Sequence, residues 1–214
     1  MTKILFLDLD GTIREPITGK FIDFPLNQRL IEGADKAIEF YKNQGWILIG
    51  ITNQGGVEAG YKSLDDCILE QKQTLFEAIQ IDSIFFCPDF KGRKCVQVTR
   101  DVVFKYSFDD EQYWQPVHNP NNVYSFRKPG TGMLRLAIEK LTQQHENDFI
   151  NRCWISEDDE CWMVGDRKED KEAADNLGIN YLAADIWRSR FLPGIHEFNL
   201  SPREIQFLEG IKLS

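Results

Sequence analysis

The apolar run Ile4-Leu5-Phe6-Leu7 gives way at once to Asp8-Leu9-Asp10-Gly11-Thr12, and that junction constrains the chain more than any other stretch. Four consecutive apolar residues read as a short strand buried on both faces, the kind found in parallel sheets. Side chains two apart on an extended chain point the same way, so Asp8 and Asp10 are expected together where the strand ends. Two like charges held side by side repel, and a divalent cation is the usual remedy. Gly11 permits a sharp turn, and Thr12 offers a hydroxyl to tie it.

Three later clusters share this placement. Trp46–Ile51 reads as a second buried strand and runs into Thr52-Asn53-Gln54-Gly55-Gly56. A hydroxyl and glycine-exposed N–H groups at a strand end suit an anion such as a phosphoryl group. Arg127-Lys128-Pro129-Gly130-Thr131-Gly132-Met133 directly precedes a helix expected over Leu134–Gln144. Lysine at a helix start opposes the macrodipole, whereas an anion bound there would account for it. Cys161–Val164 reads as another core strand, ending in Gly165-Asp166, with Asp170 one helical turn later. In an open parallel sheet such strand ends gather in one crevice, where ligands bind.

Between these clusters the pattern is ordinary. Leu30, Ile31, Ala34, Ala37, Ile38 and Tyr41 predict a helix over roughly Asn27–Gln44, stopped by Gly45. Ser63 is the expected N-cap of a second helix reaching Ile79, and Ile84–Phe86 a third strand. The segment 87–126 is too long for a simple connection and is expected to be an insertion near the active site, between the second and third clusters. Val96–Val98 and Val102–Phe104 within it suggest a hairpin. Lys91, Arg93, Lys94, Arg100 and Lys105 make its first half basic, and the first four could hold a second anionic group, while Asp109, Asp110 and Glu111 make the next part acidic, before Tyr113 and Trp114. Glu157-Asp158-Asp159-Glu160 reads as a solvated loop, Glu169–Leu177 as a helix closed by Gly178, and Ile179–Ala183 as a further strand. Phe191, Leu192, Ile195, Phe198, Ile205, Phe207 and Leu208 read as apolar cover for the sheet.

Composition narrows the class. The 214 residues suffice for one core, so residues 1–214 are expected to form a single domain. No apolar run reaches membrane-spanning length, and no signal peptide is expected. Five cysteines without compact spacing favour reduced thiols and a cytoplasmic setting. A net charge of −9 argues against extended contact with a nucleic-acid backbone.

Asp8-Leu9-Asp10-Gly11-Thr12 resembles the DxDGT motif of the haloacid dehalogenase (HAD) superfamily of phosphohydrolases, and the later clusters match its remaining motifs in order over residues 8–170. The Thr-Asn-Gln and Arg-Lys-Pro-x-x-Gly-Met forms resemble the subgroup of histidinol-phosphate phosphatase, D-glycero-D-manno-heptose bisphosphate phosphatase and polynucleotide 3′-phosphatase. The resemblance implies an α/β fold of three Rossmann-like layers around a central, mostly parallel sheet, with a small insertion and no large cap domain. It implies Asp8 as nucleophile and Asp10 as acid and base in a phosphomonoester hydrolase, a phosphatase working through an aspartyl-phosphate. Magnesium would be held by the carboxylates of Asp8 and Asp166 and the backbone carbonyl of Asp10, with Asp170 and Thr12 in support. Thr52, Asn53, Gln54, Arg127 and Lys128 would bind the phosphoryl group or substrate.

One departure concerns zinc. In histidinol-phosphate and heptose bisphosphate phosphatases a zinc loop lies between the second and third motifs, opening with Cys-Pro-x-His-type spacing. Here Cys87-Pro88 is followed by Asp89-Phe90, and Tyr124-Ser125-Phe126 replaces the closing cysteines, leaving Cys95 and His118 at irregular distances. That spacing argues against bound zinc. The leading expectation is a monomeric hydrolase acting on a small phosphorylated metabolite such as a sugar phosphate or bisphosphate. A polynucleotide 3′-phosphatase, disfavoured by net charge, and a non-catalytic phosphate-binding module are the alternatives.

Overall fold

The computed structural model describes residues 2–108, 124–144, 159–194 and 196–210. Asp109, Asp110, Glu111, Tyr113, Trp114, His118, Asp158 and Ile195 lie outside them, as does most of the acidic stretch before Asp159. Alternation along the first strand, β1 (Lys3–Leu7), sets the layers. Leu5 and Leu7 enter one core and Ile4 and Phe6 the other, so the strand is covered on both faces.

The elements then follow as β2 (Arg14–Glu15), β3 (Arg29–Leu30), α1 (Ala34–Asn43), β4 (Ile47–Asn53), α2 (Leu64–Glu77), β5 (Ser83–Cys87), β6 (Lys94–Val98) and β7 (Val103–Ser107). After them come α3 (Gly132–Gln144), β8 (Glu160–Gly165), α4 (Lys168–Leu177), β9 (Asn180–Ala183), α5 (Ala184–Ser189) and α6 (Pro202–Glu209). Seven strands form one sheet in the order β7-β6-β5-β4-β1-β8-β9. The five from β5 to β9 are parallel, and β6 and β7 join antiparallel at one edge. Residues of α1, α2, α5 and α6 pack on the Leu5 face, and those of α3 and α4 on the Phe6 face. The fold is therefore a three-layer α/β arrangement.

Because β1 lies between β4 and β8, the chain leaves it in both directions along the sheet. That is a topological switch point, and in open α/β sheets ligands bind at such a point, beyond the C-terminal ends of the strands. Asp8 and Asp10 stand there.

Three local outcomes differ from the sequence reading. The first helix starts at Ala34, because Arg29–Leu30 pairs antiparallel with Arg14–Glu15 and Gly33, at φ +86°, turns the chain before α1. The hairpin does not stand apart: Phe86 pairs with Val96 and extends the sheet. Phe207 and Leu208 cover the sheet, but Phe198 and Ile205 are exposed. Ser63 caps α2 as its sequence suggests, accepting the Asp66 N–H at 3.0 Å, and Gly178 ends α4 in the left-handed region.

Candidate active site

Asp8 follows β1 directly, and its N–H continues the parallel ladder by donating to the Val164 carbonyl at 2.9 Å. This bond fixes the backbone at the switch point, and the residue is buried. One carboxylate oxygen accepts the Thr12 hydroxyl at 3.0 Å, and the other accepts the Lys128 ammonium at 2.5 Å. Burial raises the Asp8 carboxyl from its ordinary value to about 7, against the opposing pull of Lys128. The group is costly to ionise where it stands.

Lys128 is itself buried, and its three donors are all engaged. Besides Asp8 it reaches the Ile51 carbonyl at 2.8 Å and Asp170 Oδ1 at 2.6 Å. One ammonium thus ties together residues that follow β1, lie within β4 and begin α4. The other Asp170 oxygen accepts the Arg167 N–H at 3.0 Å and caps α4. Asp166 stands on the exposed side of this group. Carboxylate oxygens of Asp8, Asp166 and Asp170 lie within 4.8 Å of one another.

Two glycines make this crowding feasible. Gly11 has φ +92°, and a Cβ there would stand 2.3 Å from Asp166 Oδ2. A Cβ on Gly165 would meet the Asp170 carboxylate at 2.3–2.4 Å. The glycines admit the acids.

Asp10 points elsewhere. Its Oδ1 accepts Arg14 Nε at 2.8 Å and its Oδ2 accepts Gln54 Nε2 at 2.7 Å. Burial opposes ionisation, yet Arg14 and Gln54 outweigh it and hold the carboxyl below its usual range. The side chain of Asp10 therefore lies outside the three-carboxylate group, while Asp170, given a supporting place by the sequence, lies within it.

Among the expected phosphate ligands, the buried Thr52 hydroxyl accepts Gln54 Nε2 at 3.2 Å. Asn53 turns its amide onto the backbone of Lys128, accepting its N–H and donating to its carbonyl, both at 3.0 Å. Arg127 lies over the Phe90 ring at 5.3 Å, and its buried Nη1 has no hydrogen-bond partner among the described residues. The basic segment divides. Lys91, Arg93 and Lys94 lie in or just before the start of β6, at the end of the sheet where β5 finishes in Cys87. Arg100 follows the far end of β6 and donates to the carbonyls of Ile79 and Ile81. In the loop between β5 and β6, Asp89 accepts the N–H groups of Arg93 at 2.9 Å and Lys94 at 3.1 Å, and the Cys87 thiol at 3.3 Å.

Sequence reasoning missed Arg14, Lys62 and Glu70. Arg14 stands in the short strand β2, and its side chain is fully buried and pairs with Glu70 at 2.6 Å. One signal was present: Glu70 shares the helix face of Cys67, Gln71 and Thr74, all buried.

A family profile described as HAD-hydrolase-like matches residues 125–184. The D-glycero-alpha-D-manno-heptose-1,7-bisphosphate 7-phosphatase of Campylobacter jejuni is 31% identical over 185 residues, covering 85% of this chain and 81% of that protein. The histidine biosynthesis bifunctional protein HisB of Legionella pneumophila is 27% identical over 188 residues, but this chain spans only 41% of its length. Among solved structures, a D,D-heptose 1,7-bisphosphate phosphatase from B. bronchiseptica, complexed with magnesium and phosphate, shares the fold. It aligns with a TM-score of 0.53 at 21% identity, over 84% of this chain and 79% of that one. The Campylobacter alignment runs along most of both chains rather than across one motif, and on that extent the chain belongs to the HAD-like hydrolases.

Proposed function

We propose that this protein is a magnesium-dependent phosphomonoester hydrolase that works through an aspartyl-phosphate on Asp8. The carrying observation is the Lys128 ammonium bound to Asp8, Asp170 and the Ile51 carbonyl at the sheet's switch point. Three carboxyl groups against one ammonium leave a net negative charge once they ionise, and the donors are all hard oxygens. Such a set fits a divalent cation of magnesium's preference. Asp8, Asp166 and the backbone carbonyl of Asp10 would hold it, with Asp170 and Thr12 in support. When bound, it would neutralise charge on the phosphoryl oxygens.

The side chains supply the remaining chemistry. An Asp8 oxygen attacks phosphorus as the bond to the leaving oxygen breaks, and Asp10 in its protonated form, the form the second step regenerates, gives that oxygen its proton. Asp10 then takes a proton from water, whose oxygen attacks phosphorus and releases phosphate and free Asp8. Lys128 and Thr52 orient phosphoryl oxygens. Gln54 fixes Asp10, and Asn53 fixes the backbone that carries Lys128. The orphaned Nη1 of Arg127 supports a role in holding a substrate anion.

The names of the relatives support a small phosphorylated metabolite, a sugar phosphate or bisphosphate, as substrate. Residues 1–214 would form one hydrolase domain, with 87–126 as an insertion beside the site. No helix among the described residues is long and apolar enough to cross a membrane, and the free thiols Cys67, Cys87, Cys95 and Cys161 support a reducing, cytoplasmic setting. A screen across phosphorylated sugars, amino alcohols, nucleotides and 3′-phosphorylated oligonucleotides tests this reading. Magnesium-dependent release of phosphate from a sugar phosphate, abolished in a folded Asp8→Asn variant, is expected. Preference for the oligonucleotide would replace the metabolite with a polynucleotide, and no turnover on any of them would leave a phosphate-binding module.

A further inference from the structure

A closed ring of hydrogen bonds stands behind Asp10. Arg14 Nε donates to Asp10 Oδ1 at 2.8 Å, and Arg14 Nη2 to Glu70 Oε1 at 2.6 Å. The other Glu70 oxygen accepts Lys62 Nζ, which also reaches Gln54 Oε1 at 3.4 Å. Gln54 Nε2 closes the ring on Asp10 Oδ2 at 2.7 Å. Arg14 Nη1 is held outside the ring by Gln28 Oε1 at 3.1 Å and Thr74 Oγ1 at 2.5 Å.

Its placement is informative. Two acids and two bases balance in charge, yet core stability gives little reason to bury them. Desolvation offsets much of the attraction in a buried ion pair, and apolar residues of similar volume often serve as well. Side-chain exposure is 0% for Arg14, 2% for Glu70 and 11% for Lys62, but 38% for Asp10. The network opens to solvent chiefly through the carboxylate assigned to proton transfer.

We propose that Arg14 is a positioning residue for Asp10, held in register by Glu70. This rests on the phosphatase reading above. The planar guanidinium engages four separate acceptors in fixed directions, and a lysine cannot reproduce that fork. With one oxygen held by Arg14 and the other by Gln54, the Asp10 carboxyl keeps a single orientation. The leaving oxygen and later the attacking water then meet it in one place. A proton-transfer group contributes only within hydrogen-bond reach of its partner. Losing Arg14 would let Asp10 swing, with Asp8, Lys128 and the acidic group untouched.

The test uses two leaving groups. 4-Nitrophenolate departs without a proton, whereas the alkoxide of glycerol 2-phosphate needs one. In Arg14→Lys, kcat on glycerol 2-phosphate should fall about 100-fold with KM within about two-fold, the scale of a lost proton-transfer group. On 4-nitrophenyl phosphate the first turnover should keep its wild-type rate and release about one equivalent of nitrophenolate. A slow steady state should follow, because the water that clears the phosphoenzyme still needs Asp10. Acid quenching should recover phosphorylated protein. Glu70→Gln, which leaves the Arg14–Asp10 pair but frees the guanidinium behind it, should show the same pattern more weakly and decides the matter if Arg14→Lys does not fold. Unchanged kcat on the alkyl ester, or equal loss of the first turnover on both substrates, would overturn the positioning role while wild-type turnover kept the phosphatase reading. A wild type without turnover on either ester would remove both.

Discussion

Asn53 clasps Lys128 by its backbone, with the Asn53 amide accepting the Lys128 N–H and donating to its carbonyl, each at 3.0 Å. The ammonium at the other end of Lys128 meets Asp8 at 2.5 Å. Asn53 therefore sets where that charge stands, although sequence reading placed it on the phosphate.

Asn53→Ala should lower kcat more than it raises KM, because Lys128 shifts while the substrate loses no direct contact. Removing both bonds should also destabilise the fold by about 1–3 kcal/mol. Steady-state kinetics beside thermal unfolding checks both. A large rise in KM with unchanged stability would return Asn53 to the substrate.

Magnesium binding should weaken as pH falls below neutrality. Burial holds the Asp8 carboxyl protonated up to about 7, although Lys128 opposes it, and a protonated acid is a poor ligand. The sign for metal-free stability follows. A folded-state pKa above the unfolded value gives a contribution present below about 4 and lost as pH rises through about 7. Magnesium should abolish that loss. Thermal unfolding at pH 5.5 and 8, with and without magnesium, should show the larger metal-induced stabilisation at pH 8.

Gly11→Ala should damage the metal site and the turn together. The left-handed backbone there strains any side chain, and the new Cβ would displace the Asp166 carboxylate from 2.3 Å. A stability loss of about 1–2 kcal/mol is expected, with at least a ten-fold rise in the magnesium needed for half-maximal activity. Magnesium titration of activity in the folded variant is the measurement.

Arg100 and the other basic residues of its segment should separate cleanly. Arg100→Gln removes donors to the Ile79 and Ile81 carbonyls, so the melting temperature should drop while KM stays constant. The cost should be about 0.5–1.5 kcal/mol. Neutralising Lys91, Arg93 and Lys94 together should instead raise KM for an anionic substrate, and more so at low salt. Melting curves and KM at two salt concentrations distinguish the two sets.

What the sequence by itself determined is local. Four apolar residues specify β1, glycine and the acids specify the turn after it, and Ser63 and Gly178 mark helix ends, because each depends on neighbours a few positions away. Motif order then predicted which strand ends meet, and the sheet order bears it out, with β1 between β4 and β8. Tertiary structure decided the partners. Arg14 finds Glu70 at a separation of 56 residues, and Asn53 finds Lys128 at a separation of 75. Neither pairing follows from propensity or spacing, since a polar side chain's partner depends on which elements the sheet brings side by side. The antiparallel run of β6 likewise sent Lys94 to one end of the sheet and Arg100 to the other. A charge's function depends on the end at which it stands, and strand direction is a property of the assembled sheet.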